Sequence, residues 1–360
     1  MKIRVALVGV GNCASALVQG VKYYRNTKEG DLVPGLMHID FGGYHVSDIE
    51  FVAAFDVNRL KIGKDLSEAV FAEPNCCARF ANPVPKMGIE VLPGPILDGV
   101  APHMKEPFKA YEYTQTEYPQ DVSSVLKEAW ADMLVNFLPV GSYKATRYYA
   151  QAALDAGCAF VNCMPEFIAS DKGWAGKFEK AGLPIAGDDV KSQLGATILH
   201  RALVRLFVER GVIVDETYQL NIGGNTDFQN MISEDRLKTK RVSKTEAVTS
   251  MVPYHVPTRI GPSDYVAFLG DKKICYIHVN GRNFGGQPVT VHAKLEVEDS
   301  ANSAGVVIDV IRAVKLALDR GTAGPLTSIS SYAFKHPPVQ VEDDTARRWV
   351  EEFIQGNRER

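Results

Sequence analysis

The fold is decided near the start of the chain, where residues 3–22 read IRVALVGVGNCASALVQGVK. Ile3–Val8 is a β-rich apolar run, which predicts a buried strand. It leads into a turn that contains Gly9 and Gly11, and Ala14–Lys22 then predicts a helix. A strand, a glycine turn and a helix in this order are typical of the first unit of a dinucleotide-binding fold.

The small residues of this turn suit the binding of a pyrophosphate. Gly9 permits the tight turn, Gly11 lets the backbone approach the phosphates, and Ala14 is small enough for close packing of helix on strand. The start of the helix offers free N–H groups and the positive end of the helix dipole. The G-x-G-x-x-A spacing is weakly specific alone, but the strand and helix around it favour a nucleotide site.

A second strand supports this interpretation. Ile49–Phe55 is another apolar run, and Asp56 follows it directly. A carboxylate at this strand end can accept hydrogen bonds from the adenosine ribose hydroxyls, which favours NAD over its phosphorylated form. Asp56 lies further from the glycines than the usual gap of about 20 residues. Residues 26–48 therefore predict an inserted loop, and a solvated carboxylate with no ligand is the alternative for Asp56.

The next part of the chain alternates strands and helices. Met133–Leu138 predicts a strand, Tyr143–Ala156 a helix, Phe160–Asn162 a strand, and Ala196–Glu209 a further helix. This alternation favours a parallel sheet with crossover helices. Residues 74–120, which are rich in proline, predict loops with short strands.

From about residue 212 the pattern changes to alternating strands. Val212–Ile222, Ile274–Val279 and Val289–Val297 predict a second, open sheet, and Ala301–Arg320 predicts one long amphipathic helix. One helix is too little to cover a sheet, so we expect a subunit partner on its open face. This reasoning predicts a homo-oligomer, with a homotetramer as the specific expectation.

Composition excludes several classes of protein. The chain has 360 residues, 46% hydrophobic and 23% charged, with a formal net charge of −3. This balance argues against a nucleic-acid binder that works by bulk charge. The longest apolar runs have the length of strands and predict no membrane segment. Six cysteines are too few for a disulfide scaffold and fit reduced thiols in the cytoplasm.

Short polar clusters lie beyond the first strands, and each of them alone also fits a turn or a solvated charge run. Together and in this order they resemble inositol-1-phosphate synthase, in its short bacterial and archaeal branch, over roughly residues 1–340. The tail, residues 341–360, has no clear counterpart. The matching segments are GDDVKS (187–192), LNIGGNTDFQNM (220–231), KTKRVSK (238–244), GDKK (270–273), EDS (298–300) and FK (334–335).

The resemblance implies both a fold and an activity. The fold is α/β: a Rossmann-type NAD-binding domain over residues 1–200, completed by 300–360, and an α+β catalytic and tetramerisation domain over 201–299. The implied enzyme is an isomerase that converts D-glucose 6-phosphate to 1L-myo-inositol 1-phosphate, the first step of inositol and phosphatidylinositol biosynthesis. Enzyme-bound NAD oxidises C5, an enolate closes the ring onto C1, and the hydride then returns to C5.

The resemblance also assigns residues to this chemistry. Lys240 and Lys335 act at C5, Lys273 acts at the C1 carbonyl, and Asp189 orients a lysine. The acids near the reaction centre are Asp227 and Asp299. The phosphate contacts are Ser192, Asn225 and Lys244. The NAD contacts are Gly9, Gly11, Asn12, Cys13 and Asp56, with Asp271 beside the nicotinamide.

Elementary electrostatics adds one inference that needs no family. Several lysines crowded together repel one another, so such a cluster makes sense only if it binds an anion such as a phosphate dianion. Two alternatives remain at this point. One is a two-domain NAD-dependent sugar or amino-acid dehydrogenase, and the other is a non-catalytic NAD-sensing or scaffold protein. A divalent cation also stays open, with Asp271 as the one weak candidate ligand.

Overall fold

A computed structural model of the chain describes residues 2–112, 121–233 and 236–360. The last part of the predicted loop region 74–120 lies outside these ranges. The strands are β1 (Ile3–Val8), β2 (Asp40–Phe41), β3 (Tyr44–His45), β4 (Ile49–Asp56), β5 (Val91–Pro93), β6 (Met133–Asn136), β7 (Ala159–Asn162), β8 (Pro184–Gly187), β9 (Ile213–Gly223), β10 (Thr258–Tyr265), β11 (Lys272–Arg282), β12 (Pro288–Glu298) and β13 (Gly324–Pro325).

The helices are α1 (Asn12–Tyr23), α2 (Leu66–Ala69), α3 (Lys105–Phe108), α4 (Val122–Glu128), α5 (Tyr143–Ala156), α6 (Lys172–Lys180), α7 (Ala196–Glu209), α8 (Thr226–Asn230), α9 (Lys238–Thr249), α10 (Asp299–Asp319), α11 (Thr327–Ala333) and α12 (Asp343–Ile354).

A seven-stranded parallel sheet forms the larger layer, in the order β13-β8-β7-β6-β1-β4-β5. Its strands are apolar and buried on both faces, as a parallel sheet covered by helices requires. Helices α1, α10, α11 and α12 pack on one face, and α4, α5 and α6 pack on the other. The strand order reverses direction at β1, which is where open sheets of this kind bind ligands. The predicted α/β class with a Rossmann-type sheet is confirmed.

A four-stranded mixed sheet forms the second layer, in the order β10-β9-β11-β12. Helices α7 and α9 cover one of its faces. The other face exposes large side chains, among them Tyr218, Leu220 and Tyr276. Along β12 the side chains alternate between half-buried and exposed, as the sequence predicted. The division of the chain into residues 1–200 with 300–360 and residues 201–299 stays a prediction.

The structure corrects the prediction for the long helix. Helix α10 is buried over most of its surface, so it is not amphipathic, and it packs against α1 and the larger sheet rather than on the open sheet. The charged residues Asp309 and Arg312 suggested a solvent-exposed helix face, but both are fully buried and pair with each other. Two helices, α7 and α9, cover the smaller sheet instead of one.

The inserted loop 26–48 packs against helix α10. It contains the β2–β3 hairpin, and Arg312 donates hydrogen bonds to the carbonyl oxygens of His38 and Ile39, both at 2.8 Å. The backbone N–H of Met37 donates to the Asp309 carboxylate at 3.0 Å. The buried ion pair of α10 therefore serves as the anchor of this loop.

No helix within the described ranges is long and apolar enough to cross a membrane. The C-terminal tail, for which the sequence offered no counterpart, forms α12 and buries Val350 and Phe353 against the core.

Replacing a mid-helix glycine by alanine tests the packing of α10 at Gly305, with Gly176 of α6 as the comparison. The two replacements are expected to change the free energy of unfolding in opposite directions. A Cβ at Gly305 would lie 2.1 Å from the carbonyl oxygen of Gly35, whereas a Cβ at Gly176 in α6 would meet nothing within 4 Å. Gly305→Ala is expected to lower the free energy of unfolding by about 1–3 kcal/mol through overpacking. Gly176→Ala is expected to raise it by up to about 1 kcal/mol through helix propensity.

Urea denaturation followed by circular dichroism measures both changes. If Gly305→Ala were as stable as the unaltered protein, the close packing of loop 26–48 on α10 would be wrong.

Candidate active site

The glycine turn lies at the centre of the carboxyl edge of the larger sheet. Gly9 adopts a φ of +85°, and a Cβ there would lie 2.7 Å from the carbonyl oxygen of Phe137 on the neighbouring β6 loop. Only glycine fits this position without strain. The space around Gly11 is open, and among the described residues no side chain caps the start of α1. The free N–H groups there fit a pyrophosphate.

Asp56 lies at the end of β4, beside this turn. Its carboxylate accepts hydrogen bonds from the backbone N–H groups of Val10, Val57 and Asn58, at 2.7, 2.7 and 2.8 Å. A carboxylate has about four acceptor positions, so one remains for a ribose hydroxyl. Apolar side chains line the cavity close by, including Val57, which is consistent with an adenosine pocket.

Residues on both sides of α2 bind the glycine turn and the start of α1. Lys61 and Asn75 both donate to the carbonyl oxygen of Val10, at 2.7 and 3.1 Å. The N–H of Cys76 donates to the side-chain oxygen of Asn12 at 2.8 Å. These contacts hold the glycine turn against the residues that flank α2. The sequence did not indicate Lys61 or Asn75, because neither belongs to a recognisable motif.

All predicted site residues except Asp271 line one cavity, which runs from the glycine turn to the second sheet. Asp271 lies behind the cavity wall, where its carboxylate accepts hydrogen bonds from Asn225 at 3.2 Å and from the Ser300 hydroxyl at 2.7 Å. Burial raises the pKa of Asp271 to about 6. Its contact with the cavity therefore runs through Asn225 and Ser300, which do line it.

The lysines converge at the far end of this cavity, around the buried carboxylate of Asp189. One oxygen of Asp189 lies 3.3 Å from the Lys240 ammonium and 2.9 Å from that of Lys335, and Ser243 donates to the other oxygen. Asp189 follows β8, Lys240 and Ser243 lie one turn apart on α9, and Lys335 follows α11. The polar cluster KTKRVSK is thus the start of a helix, and Ser243 could have been found from its helical spacing to Lys240.

A second ion pair lies across the cavity. The ammonium of Lys273, near the start of β11, is 3.1 Å from the carboxylate of Asp299 at the start of α10. Ser192 and Ser303 also line the cavity, with their hydroxyl oxygens 3.1 Å apart. Ser303 is a further site residue that the sequence did not indicate. The side-chain oxygen of Asn225 caps α8 and one N–H of its amide donates to Asp271, which leaves the second N–H able to donate to a ligand.

The lysines have different protonation properties. Burial opposes the charge of Lys240, but the Asp189 carboxylate outweighs burial and raises its pKa. Burial lowers the pKa of Lys335 to about 8 despite its contact with Asp189. Burial and repulsion from Lys240, Lys273 and Lys335 lower the pKa of Lys244 to about 7. Within the described ranges, no carboxylate lies within ion-pair distance of Lys244, so this lysine is the group that an anion would stabilise most.

The lysines lower the pKa values of the two carboxylates that they bind, and the nearby thiol of Cys13 stays neutral. Burial alone would raise the pKa of Asp189, but Lys240 and Lys335 lower it well below its usual range. Lys273 likewise outweighs burial and lowers the pKa of Asp299. Burial raises the pKa of Cys13, so this cavity residue is an uncharged contact and not a thiolate. Cys13 lines the cavity beside the glycine turn, and its contact with NAD stays a prediction.

The described residues contain no group of three or more His, Cys, Asp or Glu side chains that could hold a metal ion. Asp271, the weak candidate ligand, accepts hydrogen bonds from neutral side chains instead. Within the part of the chain that the structure describes, side chains alone therefore supply no such ligand set for the divalent cation left open above.

Comparisons with known proteins agree with this arrangement. The family model for myo-inositol-1-phosphate synthase matches residues 195–300. The chain is 56% identical to the inositol-3-phosphate synthase of Corynebacterium glutamicum, over 98% of each chain. It is 53% identical to that of Mycobacterium tuberculosis strain H37Rv, over 99% of this chain and 96% of the relative. A solved myo-inositol-1-phosphate synthase-related protein from Thermotoga maritima aligns over 99% of both chains, with 25% identity and a TM-score of 0.81.

The lysine cluster makes anion binding depend on pH in a defined way. Since the pKa of Lys244 is about 7, this amine is mostly neutral at pH 8, and a bound dianion would favour its charged form. Sulfate binding is therefore expected to take up a proton at pH 8 and none at pH 6, where Lys244 already carries its charge. Sulfate does not titrate in this range, so the proton comes to the protein.

Isothermal titration calorimetry in buffers of different ionisation enthalpy measures this uptake. Lys244→Met should reduce it to the share taken up by Lys335, whose pKa is about 8, whereas Lys238→Met, which changes an exposed lysine of the same helix, should leave it unchanged. Undiminished proton uptake in Lys244→Met would show that another group carries the shift.

Proposed function

The chain belongs to the inositol-3-phosphate synthase family, and from this premise we propose that it converts D-glucose 6-phosphate to 1L-myo-inositol 1-phosphate with NAD as catalyst. The product is the compound also numbered as inositol 3-phosphate. The observation that carries the proposal is the convergence of Lys240, Lys244, Lys273 and Lys335 in the cavity that begins at the glycine turn. A simple dehydrogenase needs one acid–base group, whereas a cyclisation needs charge at several oxygens.

The cofactor site fits a dinucleotide. Gly9, Gly11, Asn12 and Cys13 would hold the pyrophosphate at the start of α1, and the remaining acceptor position of Asp56 would hold a ribose hydroxyl. When bound, NAD supplies a hydride acceptor and later a hydride donor for C5. The protein must then place C5 of the sugar at the cavity wall between the glycine turn and the lysines.

The first step removes a proton from the C5 hydroxyl while C5 loses a hydride. Lys335 suits the proton transfer, because its pKa of about 8 lets the amine take and return a proton near neutral pH. Lys240 suits the stabilisation of the C5 oxygen, because Asp189 raises its pKa and keeps it charged. A fixed donor of this kind is worth about 3–4 kcal/mol to an oxyanion transition state.

The ring then closes between C6 and C1. A neutral amine of the lysine cluster takes up a C6 proton, which leaves an enolate whose charge lies on the C5 oxygen. C6 then attacks the C1 aldehyde, and the C1 oxygen gains a proton from Lys273, so one proton is lost and one is gained. Lys273, paired with Asp299, is the cation assigned to the C1 oxygen. The hydride and a proton finally return to C5 and its oxygen, so the reaction has no net redox change.

The phosphate group is assigned to Lys244, Ser192 and the amide of Asn225. These groups share the cavity with the other lysines, and Lys244 is the amine without a carboxylate partner among the described residues. A phosphate dianion there would offset the repulsion within the cluster. The remaining acid, Asp227, lies in the same cavity and helps to raise the pKa of Lys240.

A homotetramer is the proposed assembly. One face of the smaller sheet is open and carries Tyr218, Leu220 and Tyr276. Exposed aromatic and aliphatic side chains on a sheet face mark an association surface. We also propose a cytoplasmic location, which the unpaired state of all six cysteines supports.

An isotope experiment tests the reaction. With [5-²H]glucose 6-phosphate and NAD well below the sugar concentration, the inositol phosphate should form, retain deuterium at its former C5 and leave no net NADH. The reason is that the hydride returns to the carbon it left. Mass spectrometry of the product and absorbance at 340 nm measure the two outcomes. NADH formed in amounts equal to the sugar consumed would instead identify an ordinary dehydrogenase.

A lysine pair supplies the control for this assay. Lys273→Met should lower kcat by about 100-fold or more, since it removes a charge from a developing oxyanion. Lys272→Met changes the exposed neighbour on the same strand and should leave kcat unchanged.

The assembly has its own test. Leu220→Lys places a charge in the open sheet face and is expected to weaken association, because an unpaired charge is costly to bury at an interface. Leu32→Lys changes a fully exposed leucine of the inserted loop and should leave the assembly unchanged. Sedimentation velocity measures both, and a monomer of 39.5 kDa for the unaltered protein at micromolar concentration would refute the tetramer.

A further inference from the structure

A buried charge cluster lies behind the active site and involves the C-terminal helix. Lys191 and Arg201 are each 1% exposed, and both bind the carboxylate of Asp343 at the start of α12. The Lys191 ammonium lies 3.2 Å from one oxygen, and the Arg201 guanidinium lies 2.8 Å from the other. Two buried cations therefore share one acid.

Lys191 belongs to the segment that carries Asp189. Residues 188–191 pair with residues 333–336 through short backbone hydrogen bonds: Lys335 N–H donates to the Asp189 carbonyl at 2.7 Å, and Lys191 N–H donates to the Ala333 carbonyl at 2.7 Å. The Lys191 ammonium also donates to the carbonyl of Ser331 at 2.8 Å. Lys191 thus joins the backbone just before Lys335 to the carboxylate of Asp343.

Arg201 connects the same acid to α9. Its guanidinium donates to the carbonyl of Ala247 and, at 3.3 Å, to the hydroxyl of Ser250 at the end of that helix. It also donates to the carbonyl of Val341 at 2.7 Å. Asp343 consequently binds both Lys191 and Arg201. Lys191 contacts the segment that carries Lys335, and Arg201 contacts α9. These two segments supply three of the four active-site lysines.

We propose that Asp343 is a positioning residue of the active site, which acts through Lys191 and Arg201 to hold Lys335 and the helix of Lys240 and Lys244 in place. The proposal rests on the proposed function, since it assigns Asp343 to that same site. Asp343 does not line the cavity, so it touches neither substrate nor cofactor.

The charges around Lys335 make this role measurable. The charged groups that face it are Asp189, Lys240, Lys244, Lys273, Asp299 and Lys191. Burial and the repulsion from Arg201 and Lys335 lower the pKa of Lys191 to about 8, while Asp343 opposes that change. Removal of the Asp343 charge would leave an excess of positive charge beside Lys335, and removal of the Lys191 charge would relieve it.

Four variants test the proposal. Asp343→Asn should lower kcat by about tenfold or more, since small displacements of catalytic groups are costly. It should move the pH profile of kcat toward acid, and NAD binding should stay unchanged. Lys191→Met should also lower kcat but move the profile toward alkali. Asp343→Glu should recover part of the loss. Asp344→Asn is the matched control, because Asp344 lies in the same helical turn and pairs with Arg205 at the surface.

A second measurement does not depend on turnover. The pH dependence of acetylation of the Lys335 amine, followed by mass spectrometry, should shift toward acid in Asp343→Asn and toward alkali in Lys191→Met. An unaltered protein without synthase activity would refute the proposed function, whereas the labelling shift would still report on Asp343. If Asp343→Asn fails to fold, Lys191→Met and Asp343→Glu decide by the same readouts.

Two results would overturn the proposal. One is a folded Asp343→Asn protein with the kcat and labelling profile of Asp344→Asn. The other is a shift of the labelling profile in the same direction in Asp343→Asn and Lys191→Met.

Discussion

The carboxylate of Asp189 is the contact on which the active site depends. It is buried, it lies at the end of β8, and it binds groups from α9 and from the segment after α11. A buried acid or a buried lysine alone would cost several kcal/mol, and both become tolerable only when they meet. The segments around Asp189, Lys240 and Lys335 are therefore stable in their packed positions only together. In this protein, the packing of these three segments and the assembly of the active site depend on the same contacts.

The cluster nevertheless contains more positive charge than Asp189 and Asp299 can balance. This excess of positive charge affects Lys244 most, because burial and the neighbouring lysines lower its pKa to about 7. The protein can thus relieve the imbalance by releasing a proton when no anion is bound. On the proposed function, the phosphate of the sugar restores that charge. The cavity is then most strongly positive when the substrate that needs this charge occupies it.

Sequence reasoning reached the larger sheet and most of the cavity, for physical reasons that also explain its errors. Strands buried on both faces appear as continuous apolar runs, and the carboxyl ends of parallel strands must meet at one edge, so Gly9 and Asp56 could be placed together, whereas Asp189 and the lysines were assigned through the family resemblance. Helix α10 was misjudged because a charged pair, Asp309 and Arg312, is hidden inside it.

Other parts of the site depended on contacts that no local pattern reveals. The position of Asp271 behind the wall depends on which way one side chain points from a turn. Asp343 lies 152 residues from Lys191 and 142 from Arg201, so their contact could not be read from spacing. Ser243 is the contrary case, since its helical spacing to Lys240 predicts a shared face.

A redox-neutral reaction also sets a requirement at the other end of the cavity. The cofactor has to remain bound while the sugar is oxidised, cyclised and reduced, because its departure after the first step would leave a ketone and end the cycle. The residues on both sides of α2 suit this requirement. They are tied to the glycine turn through Lys61, Asn75 and Cys76, and Gln19 of α1 donates to the carbonyl of Ala78 at 3.1 Å. Opening the adenosine end requires the loss of several hydrogen bonds together, whereas the sugar end is held by charges, and Lys244 can give up its proton when the product phosphate leaves.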